Sequence, residues 1–349
     1  MATEISLKEW VDNHPLASHC SLGSGLADMP FDNPAHDEIV SRIKKAYRKA
    51  KKDQPLTNPD YLPNVLWAEG IDVHRKDLVE ALNREDESFG EKIKNFWRTQ
   101  WIRGLSKYGL FNAVSCDMSY HLYYKSRILR DISVWVEYLN RPANIRSLAI
   151  PPAGNPFGLK VYDTLITGCS LHNSYYANKF KDILVGHSHP RVFELGGGIG
   201  VMAYYLLNES NDCLRYFGFD LPEIQVLAQY FLMSAMPDFS FQLYGEDENY
   251  GANVTLLPYY CLDEMTDGEA DLFVNIHSLS EMTEKAVSAY MKQITRITDM
   301  YFFSENAHVA QEYNESVVEK ADMSGFTRLQ KSPNIWGENV YREHLYKRI

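Results

Sequence analysis

The chain has 349 residues, of which 45% are hydrophobic and 13% aromatic, and its formal net charge is −11 at pH 7. This length and apolar content exclude a disordered chain. They predict a globular protein with a catalytic domain and a second region of comparable size. The acidic balance argues against a nucleic-acid partner, because phosphate-backbone binding requires a basic face.

The cysteines and the distribution of apolar residues indicate where in the cell the protein is expected to lie. The five cysteines are scattered and form no C-x-x-C pair, which predicts neither a disulfide framework nor a zinc site. The first residues lack a basic segment followed by an apolar one, and no apolar run has the length of a bilayer span. We therefore expect a cytoplasmic protein with no membrane span.

Helical periodicity dominates the first 150 residues. Residues 37–53 place Ile39 and Ile43 on one face, and residues 118–139 repeat such a pattern. Two further helices are predicted over 75–86 and 91–105. Prolines and glycines in 149–162 then break any regular element. We expect a mainly α-helical N-terminal region over 1–150 and a second domain over 151–349.

The second domain alternates short apolar runs with helical patterns. Strands are predicted over 191–195, 215–221, 254–260, 270–276 and 300–306. Helices are predicted between them over 199–209, 222–235 and 284–297. Such alternation predicts an α/β fold in which helices cover both faces of a parallel sheet. Two further strands joined by a turn over 332–339 make the end of the sheet partly antiparallel.

The glycine-rich stretch after the first of these strands fits two registers. A dinucleotide fingerprint, G-x-G-x-x-A, can be placed on 198–203, but it starts late relative to the strand and leaves Glu194 without a role. The other register is E-x-G-x-G-x-G over 194–200, with the acid at the strand end. A carboxylate there suits an amine-bearing, cationic ligand better than it suits a pyrophosphate.

In that second register the sequence resembles a known enzyme superfamily. FELGGGIG followed by FGFDLP resembles the first two motifs of class I S-adenosylmethionine-dependent methyltransferases. Within that superfamily, GNPFG, NSYYANKF and NIHSLSEM resemble a group of sugar O-methyltransferases. The resemblance covers roughly 150–349 and implies a Rossmann-like, seven-stranded, mostly parallel sheet with an antiparallel C-terminal strand. It implies S-adenosyl-L-methionine as cofactor and S-adenosyl-L-homocysteine as product.

The resemblance also suggests cofactor contacts. Asp220, which lies 22 residues after Gly198, is expected to accept the ribose hydroxyls at the end of the second strand. Glu194 either orders the glycine loop or holds the cofactor's amino group, and both roles stay open. The remaining expected contacts are the glycines of the loop, aromatic residues for the adenine and the methionine end, and two residues at strand ends: Gly196, Gly197, Gly198, Gly200, Tyr259, Tyr260, Tyr176, Leu221 and Asn275.

The reaction needs a base, because a sugar hydroxyl is a weak nucleophile at neutral pH. The loop after the fourth strand, NIHSLSEM, offers His277 as the base and Glu281 to orient it or to bind the acceptor. His308, accompanied by Glu305 after the fifth strand, is the second candidate. His172 and two other histidines precede the first strand. No pair of aspartates follows the fourth strand, so we expect chemistry without a metal.

The predicted function is therefore O-methylation of a sugar or of a glycosylated small molecule. One alternative is methylation of another natural-product hydroxyl or amine. A second alternative is a binding or assembly protein that keeps the fold without turnover. The helical first region is expected to form a lid, a substrate wall or a homodimer contact.

Overall fold

A computed structural model describes eight stretches of the protein: 6–21, 31–106, 118–139, 143–208, 213–247, 251–309, 318–337 and 339–349. The described α-helices are α1 (Leu7–Asn13), α2 (His36–Asp53), α3 (Val65–His74), α4 (Lys76–Asn83), α5 (Ser88–Ile93), α6 (Met118–Tyr138), α7 (Gly168–Ile183), α8 (Val201–Asn208), α9 (Pro222–Ala235) and α10 (Glu284–Ile297). None of these helices combines the length and the apolar character that crossing a bilayer requires.

The strands form two sheets. The small antiparallel sheet contains β1 (Cys20–Ser21), β2 (Leu159–Val161) and β3 (Thr164–Ile166). The large sheet contains β4 (Arg191–Leu195), β5 (Arg215–Asp220), β6 (Phe241–Leu243), β7 (Val254–Pro258), β8 (Ala270–Ile276), β9 (Thr298–Ala307), β10 (Phe326–Pro333) and β11 (Tyr341–Arg348).

The large sheet has the order β10-β11-β9-β8-β4-β5-β7-β6. Strands β4 to β9 pair in parallel, whereas β11 runs antiparallel to both β9 and β10. Without its edge strand β6, this is the seven-stranded order of the class I methyltransferase fold, so the predicted fold class is confirmed. The short strand β6 was not predicted.

Amphipathic helices explain how the sheet is covered. Helix α2 buries Ile39, Ile43, Ala46, Tyr47 and Ala50 and packs against α9, which lies on the sheet. Residues of the first 150 positions therefore share one hydrophobic core with residues of the sheet and its helices. A second core, which includes the buried face of α10, contains Phe193, Phe219 and Phe273 of the sheet.

Two predicted elements differ from the structure. Residues 91–105 do not form one helix, because α5 ends at Ile93 and two 3-10 turns follow. Burial of four large side chains in these turns outweighs helix propensity: Phe96, Trp97, Trp101 and Ile102. The strand predicted over 254–260 is shorter in the structure, because β7 ends at Pro258 and a 3-10 turn begins at Tyr259.

Substitution of Ile43 tests the packing of α2. Ile43 is fully buried between the first region and the sheet helices. We expect Ile43→Ala to lower the free energy of unfolding by about 2–5 kcal/mol, because it removes buried methyl groups and leaves a cavity. Leu56→Ala is the control, because Leu56 is 85% exposed, and its effect should stay within about 0.5 kcal/mol. Equal effects in urea unfolding would contradict this packing.

Candidate functional site

The loop between β4 and α8 requires glycine for backbone reasons. Gly196, Gly198 and Gly200 have φ angles of 78°, 60° and 84°, a left-handed conformation that only glycine adopts without strain. A Cβ atom on Gly196 would lie 2.3 Å from the Ser278 Oγ atom. The loop therefore packs directly on the loop after β8 and leaves backbone groups facing the space above the sheet.

Glu194 lies beneath this loop at the end of β4. Its side chain is buried, and its Oε2 atom accepts a hydrogen bond from the Tyr216 hydroxyl at 2.5 Å. Burial raises the pKa of Glu194 to about 7, although the bond from Tyr216 opposes that rise. Glu194 thus lies directly against Gly197 and lines a cavity together with it.

Asp220 lies at the end of β5, next to β4 in the sheet. Its carboxylate accepts hydrogen bonds from the backbone N–H groups of Gly198, at 2.9 Å, and of Leu221, at 2.7 Å. Burial is the largest cause of a pKa of Asp220 raised to about 7, and the two backbone bonds oppose it. Each carboxylate oxygen has a second lone pair, so the group can accept two further hydrogen bonds from a ligand.

Two adjoining cavities open at the glycine loop. The first, here called the β5 cavity, is lined by Asp220, Leu221 and Tyr259. The second, here called the β8 cavity, is lined by Glu194, Tyr176, His172, His277 and Glu281. Both cavities share Gly196, Gly198, Ser278, Trp67 and Leu105. A single elongated ligand that crosses the glycine loop could therefore occupy parts of both.

The helical first region supplies one wall of both cavities. Trp67 of α3 donates from Nε1 to the Glu281 Oε2 atom at 2.8 Å, and Asn64 donates to the Glu281 backbone carbonyl at 2.5 Å. Leu105 lies 3.6 Å from the position of a Cβ on Gly198. Neither Trp67 nor Leu105 belongs to a recognisable sequence motif, so sequence patterns did not identify them as site residues.

His277 lies at the start of the loop after β8, in a left-handed conformation with φ of 66°. Its Nε2 atom is 3.2 Å from Oε1 of Glu305, and its ring stacks on Tyr341 with centroids 4.2 Å apart. Glu305 is fully buried near the end of β9, where its neighbour across the ladder is Ile276. The structure thus pairs His277 with the carboxylate that the sequence had placed beside His308.

The other two candidates for the reaction have different surroundings. Glu281 lines the β8 cavity, and burial raises its pKa to about 7 although the bond from Trp67 opposes this. Through the hydrogen bond from Trp67, the Glu281 carboxylate connects the loop after β8 to the first region. His308 lines neither cavity, and its Nδ1 atom lies 2.5 Å from the carbonyl of Val340. His308 thus lies outside the two cavities, against the residue that precedes β11.

Two expected cofactor contacts point elsewhere. Asn275 is fully buried, and its amide donates to the Leu195 carbonyl and the Ser278 hydroxyl while accepting from Leu279 and Asn306. Its side chain therefore has no capacity left for a ligand. Tyr260 donates to the carbonyl of Ala50 in α2 at 2.9 Å and lines neither cavity. Both side chains therefore lie outside the two cavities and are used inside the protein.

The remaining two tyrosines do face the cavities. Tyr259 lines the β5 cavity, and its hydroxyl accepts from Gln54 of the first region at 3.0 Å. Tyr176 of α7 lines the β8 cavity and is 2% exposed, and its hydroxyl has no hydrogen-bond partner among the described residues. A buried hydroxyl of this kind costs free energy unless a ligand or water completes it.

Comparisons with known proteins find likenesses among solved structures. No family model and no curated protein matches the sequence. The magnesium protoporphyrin IX methyltransferase from Synechocystis PCC 6803 with bound S-adenosylmethionine is similar at 17% identity and a TM-score of 0.36, over 52% of this chain and 82% of that one.

Two other solved structures show how coverage differs. The mitomycin 7-O-methyltransferase MmcR is similar at 13% identity and a TM-score of 0.35, over 79% of this chain and 67% of that one. The CurJ carbon methyltransferase is similar at 12% identity and a TM-score of 0.37, over 50% of this chain. The match spans about half, 54%, of that structure. The fold assignment rests on the strand order and register of the chain itself.

The three carboxylates with raised pKa values predict how stability depends on pH. Glu194, Asp220 and Glu281 each have a pKa of about 7 in the folded chain, above the value of about 4 in an unfolded one. The folded state therefore binds more protons between pH 4 and 7, and the free energy of unfolding contributed by these groups falls as pH rises through that window.

Glu281→Gln isolates one of the three contributions. The amide oxygen can still accept from Trp67, but the group no longer titrates. We expect the stability of Glu281→Gln relative to the wild type, measured by urea unfolding, to rise between pH 4 and pH 7. Glu284→Gln is the control, because Glu284 is exposed. A difference between wild type and Glu281→Gln that does not change with pH would contradict the assignment.

Proposed function

We propose that this protein transfers the methyl group of S-adenosylmethionine to a hydroxyl of a sugar or of a glycosylated small molecule. One observation carries the proposal: His277, which is paired with the buried Glu305, lines the same cavity as Glu194 and the glycine loop. A base and a loop suited to a cationic cofactor thus lie at one edge of a class I methyltransferase sheet.

The residues present fit the cofactor in parts. Asp220 has acceptor capacity for the ribose hydroxyls, and Leu221 and Tyr259 would border the adenine in the β5 cavity. Glu194 and the partnerless hydroxyl of Tyr176 would hold the amino-acid end in the β8 cavity. When bound, S-adenosylmethionine supplies a methyl group activated by a positively charged sulfur. The carboxylates around the glycine loop complement that charge.

His277 has the setting of a general base. A proton on its Nε2 atom can be donated to the buried carboxylate of Glu305, and in that tautomer Nδ1 is the ring nitrogen that accepts the hydroxyl proton. Glu305 also accepts from Asn334 and is fully buried, so its position is fixed. The carboxylate stabilises the imidazolium that forms when the hydroxyl attacks the methyl carbon.

The lining of the β8 cavity supports a polyhydroxylated acceptor. Besides His277, four residues with polar side chains line this cavity: Asn173, Ser106, His172 and Glu281. A sugar can form hydrogen bonds with several such groups at once. The first region contributes Trp67 and Leu105 above the glycine loop. In this proposal it is the wall or lid that separates the reacting atoms from water.

Asp220→Ala tests the cofactor assignment. The substitution removes charge-assisted hydrogen bonds to the ribose, so we expect the affinity for S-adenosylhomocysteine to fall about 10- to 100-fold. Asp238→Ala is the matched control, because Asp238 is exposed on the turn after α9, and its affinity should equal that of the wild type. Unchanged affinity of Asp220→Ala in calorimetry would rule out the ribose contact.

His277→Asn tests the base, because asparagine tolerates the left-handed backbone of that position better than alanine does. We expect turnover to fall about 100-fold or more while the affinity for S-adenosylhomocysteine stays within about twofold. Glu305→Gln should lower turnover less, because it removes the negative charge that stabilises the protonated His277 ring but leaves the base in place. His308→Ala is the control and should keep full activity. Wild-type turnover in His277→Asn would refute the assignment.

A further inference from the structure

A second histidine faces the β8 cavity from the opposite element. His172 belongs to α7, one turn before Tyr176, and both residues line this cavity together with Glu194 and His277. The imidazole is almost completely buried, with 5% of the residue exposed. Neither the cofactor assignment nor the proton transfer of the proposed reaction uses this side chain.

The surroundings of His172 fix the plane of its ring. Its Nε2 atom lies 3.9 Å from Oδ2 of Asp131, which is fully buried in α6. Asp131 in turn accepts from Nε of Arg130 at 2.9 Å. The indole of Trp336 stacks on the imidazole with centroids 3.8 Å apart and an interplanar angle of 21°. His172 therefore lines the cavity with its ring held between Asp131 and Trp336.

One turn of the chain braces both histidines. Between β10 and β11, Asn334 donates to the carboxylate of Glu305, the partner of His277. The Asn334 side chain accepts from the backbone N–H of Trp336 at 2.8 Å, and Trp336 is the residue that stacks on His172. Tyr341, at the start of β11, stacks on His277. The position of His172 relative to His277 is thus set by shared contacts.

We propose that His172 binds a second hydroxyl of the acceptor and thereby selects which hydroxyl reaches His277. The inference rests on the proposed methyl transfer and specifies its acceptor as a molecule with at least two hydroxyls. Neighbouring hydroxyls of a sugar have nearly the same reactivity, so a base alone cannot choose between them. A second hydrogen bond at a fixed place aligns one hydroxyl and misplaces the others.

The discrimination expected from such a contact is large. A site that hydrogen-bonds a hydroxyl rejects an analogue without it, because the analogue cannot make that contact. His172 is 5% exposed, so the contact would form away from bulk water. The competing role for His172 is a contact with the amino-acid end of the cofactor, since Glu194 lines the same cavity. The shared bracing with His277 favours the acceptor.

The test compares acceptors that differ by one hydroxyl. Methyl transfer from S-adenosylmethionine is measured on a panel of methyl hexopyranosides and their monodeoxy analogues, with wild type, His172→Ala and His172→Gln. For the sugar that the wild type methylates best, we expect His172→Ala to lower kcat/KM about 10- to 100-fold. For the analogue that lacks the hydroxyl bound by His172, the same variant should match the wild type. The methylated position should also become mixed.

Two controls separate binding from structure. His172→Gln keeps a hydrogen-bonding side chain and should recover part of the lost kcat/KM. His189→Ala replaces an exposed histidine and should behave as the wild type does. An equal loss on the sugar and on every monodeoxy analogue would show that His172 only supports the fold, and would overturn the proposal.

Binding of two nucleosides distinguishes the competing role. 5′-Methylthioadenosine lacks the amino-acid end that S-adenosylhomocysteine carries. We expect His172→Ala to bind both within about twofold of the wild type, measured by calorimetry. Weaker binding of S-adenosylhomocysteine alone would assign His172 to the cofactor and overturn the proposal while the proposed function stands. A wild type that binds neither nucleoside would overturn both.

Discussion

The buried amide of Asn275 is the interaction on which the geometry of the site depends. It joins the end of β4, through the Leu195 carbonyl, to the loop after β8, through Ser278 and Leu279. Its oxygen also accepts from Asn306 of β9. All its hydrogen bonds are satisfied inside the protein, where an unpaired amide would be costly. The glycine loop and the His277 loop are consequently held at one fixed separation.

Three buried carboxylates determine the electrostatic properties of the site. Glu194, Asp220 and Glu281 lie around two adjoining cavities, and burial raises the pKa of each to about 7. A cationic ligand favours the ionised forms of these groups, so ligand charge and protein charge reinforce each other. The first region completes the enclosure, because Trp67 bonds to Glu281 at the wall of the β8 cavity. The strand ends, the three carboxylates and the wall from the first region therefore lie at the same edge of the sheet.

Sequence patterns predicted the parts of the site that depend on local chemistry. The apolar runs, the glycines after β4 and the acid at the end of β5 identify the fold and the place of Asp220. The pairing of His277 with Glu305 depends on the register between β8 and β9, which no single motif encodes. Trp67 lies in α3 and Leu105 in a turn after Ile102, both far from the glycine loop along the chain, so only tertiary packing brings them to it.

Three of the expected site residues lie away from the cavities for physical reasons that a sequence hides. Asn275 lies at the end of β8, where ligand-binding residues often lie, but a buried hydrogen-bond network uses its whole side chain. Tyr260 faces α2 because the strand ends at Pro258 and a 3-10 turn redirects the side chains. His308 lies at the expected edge of the sheet, yet its ring lies against the carbonyl of Val340, the residue before β11.

Calorimetric titration of the 349-residue chain with S-adenosylhomocysteine tests the central claim most directly. The glycine loop, Glu194 and Asp220 together predict saturable binding of one molecule per chain, and adenine alone should bind far more weakly because it reaches neither carboxylate. An absence of binding at millimolar S-adenosylhomocysteine would contradict the assignment of this strand edge to a methyltransferase site.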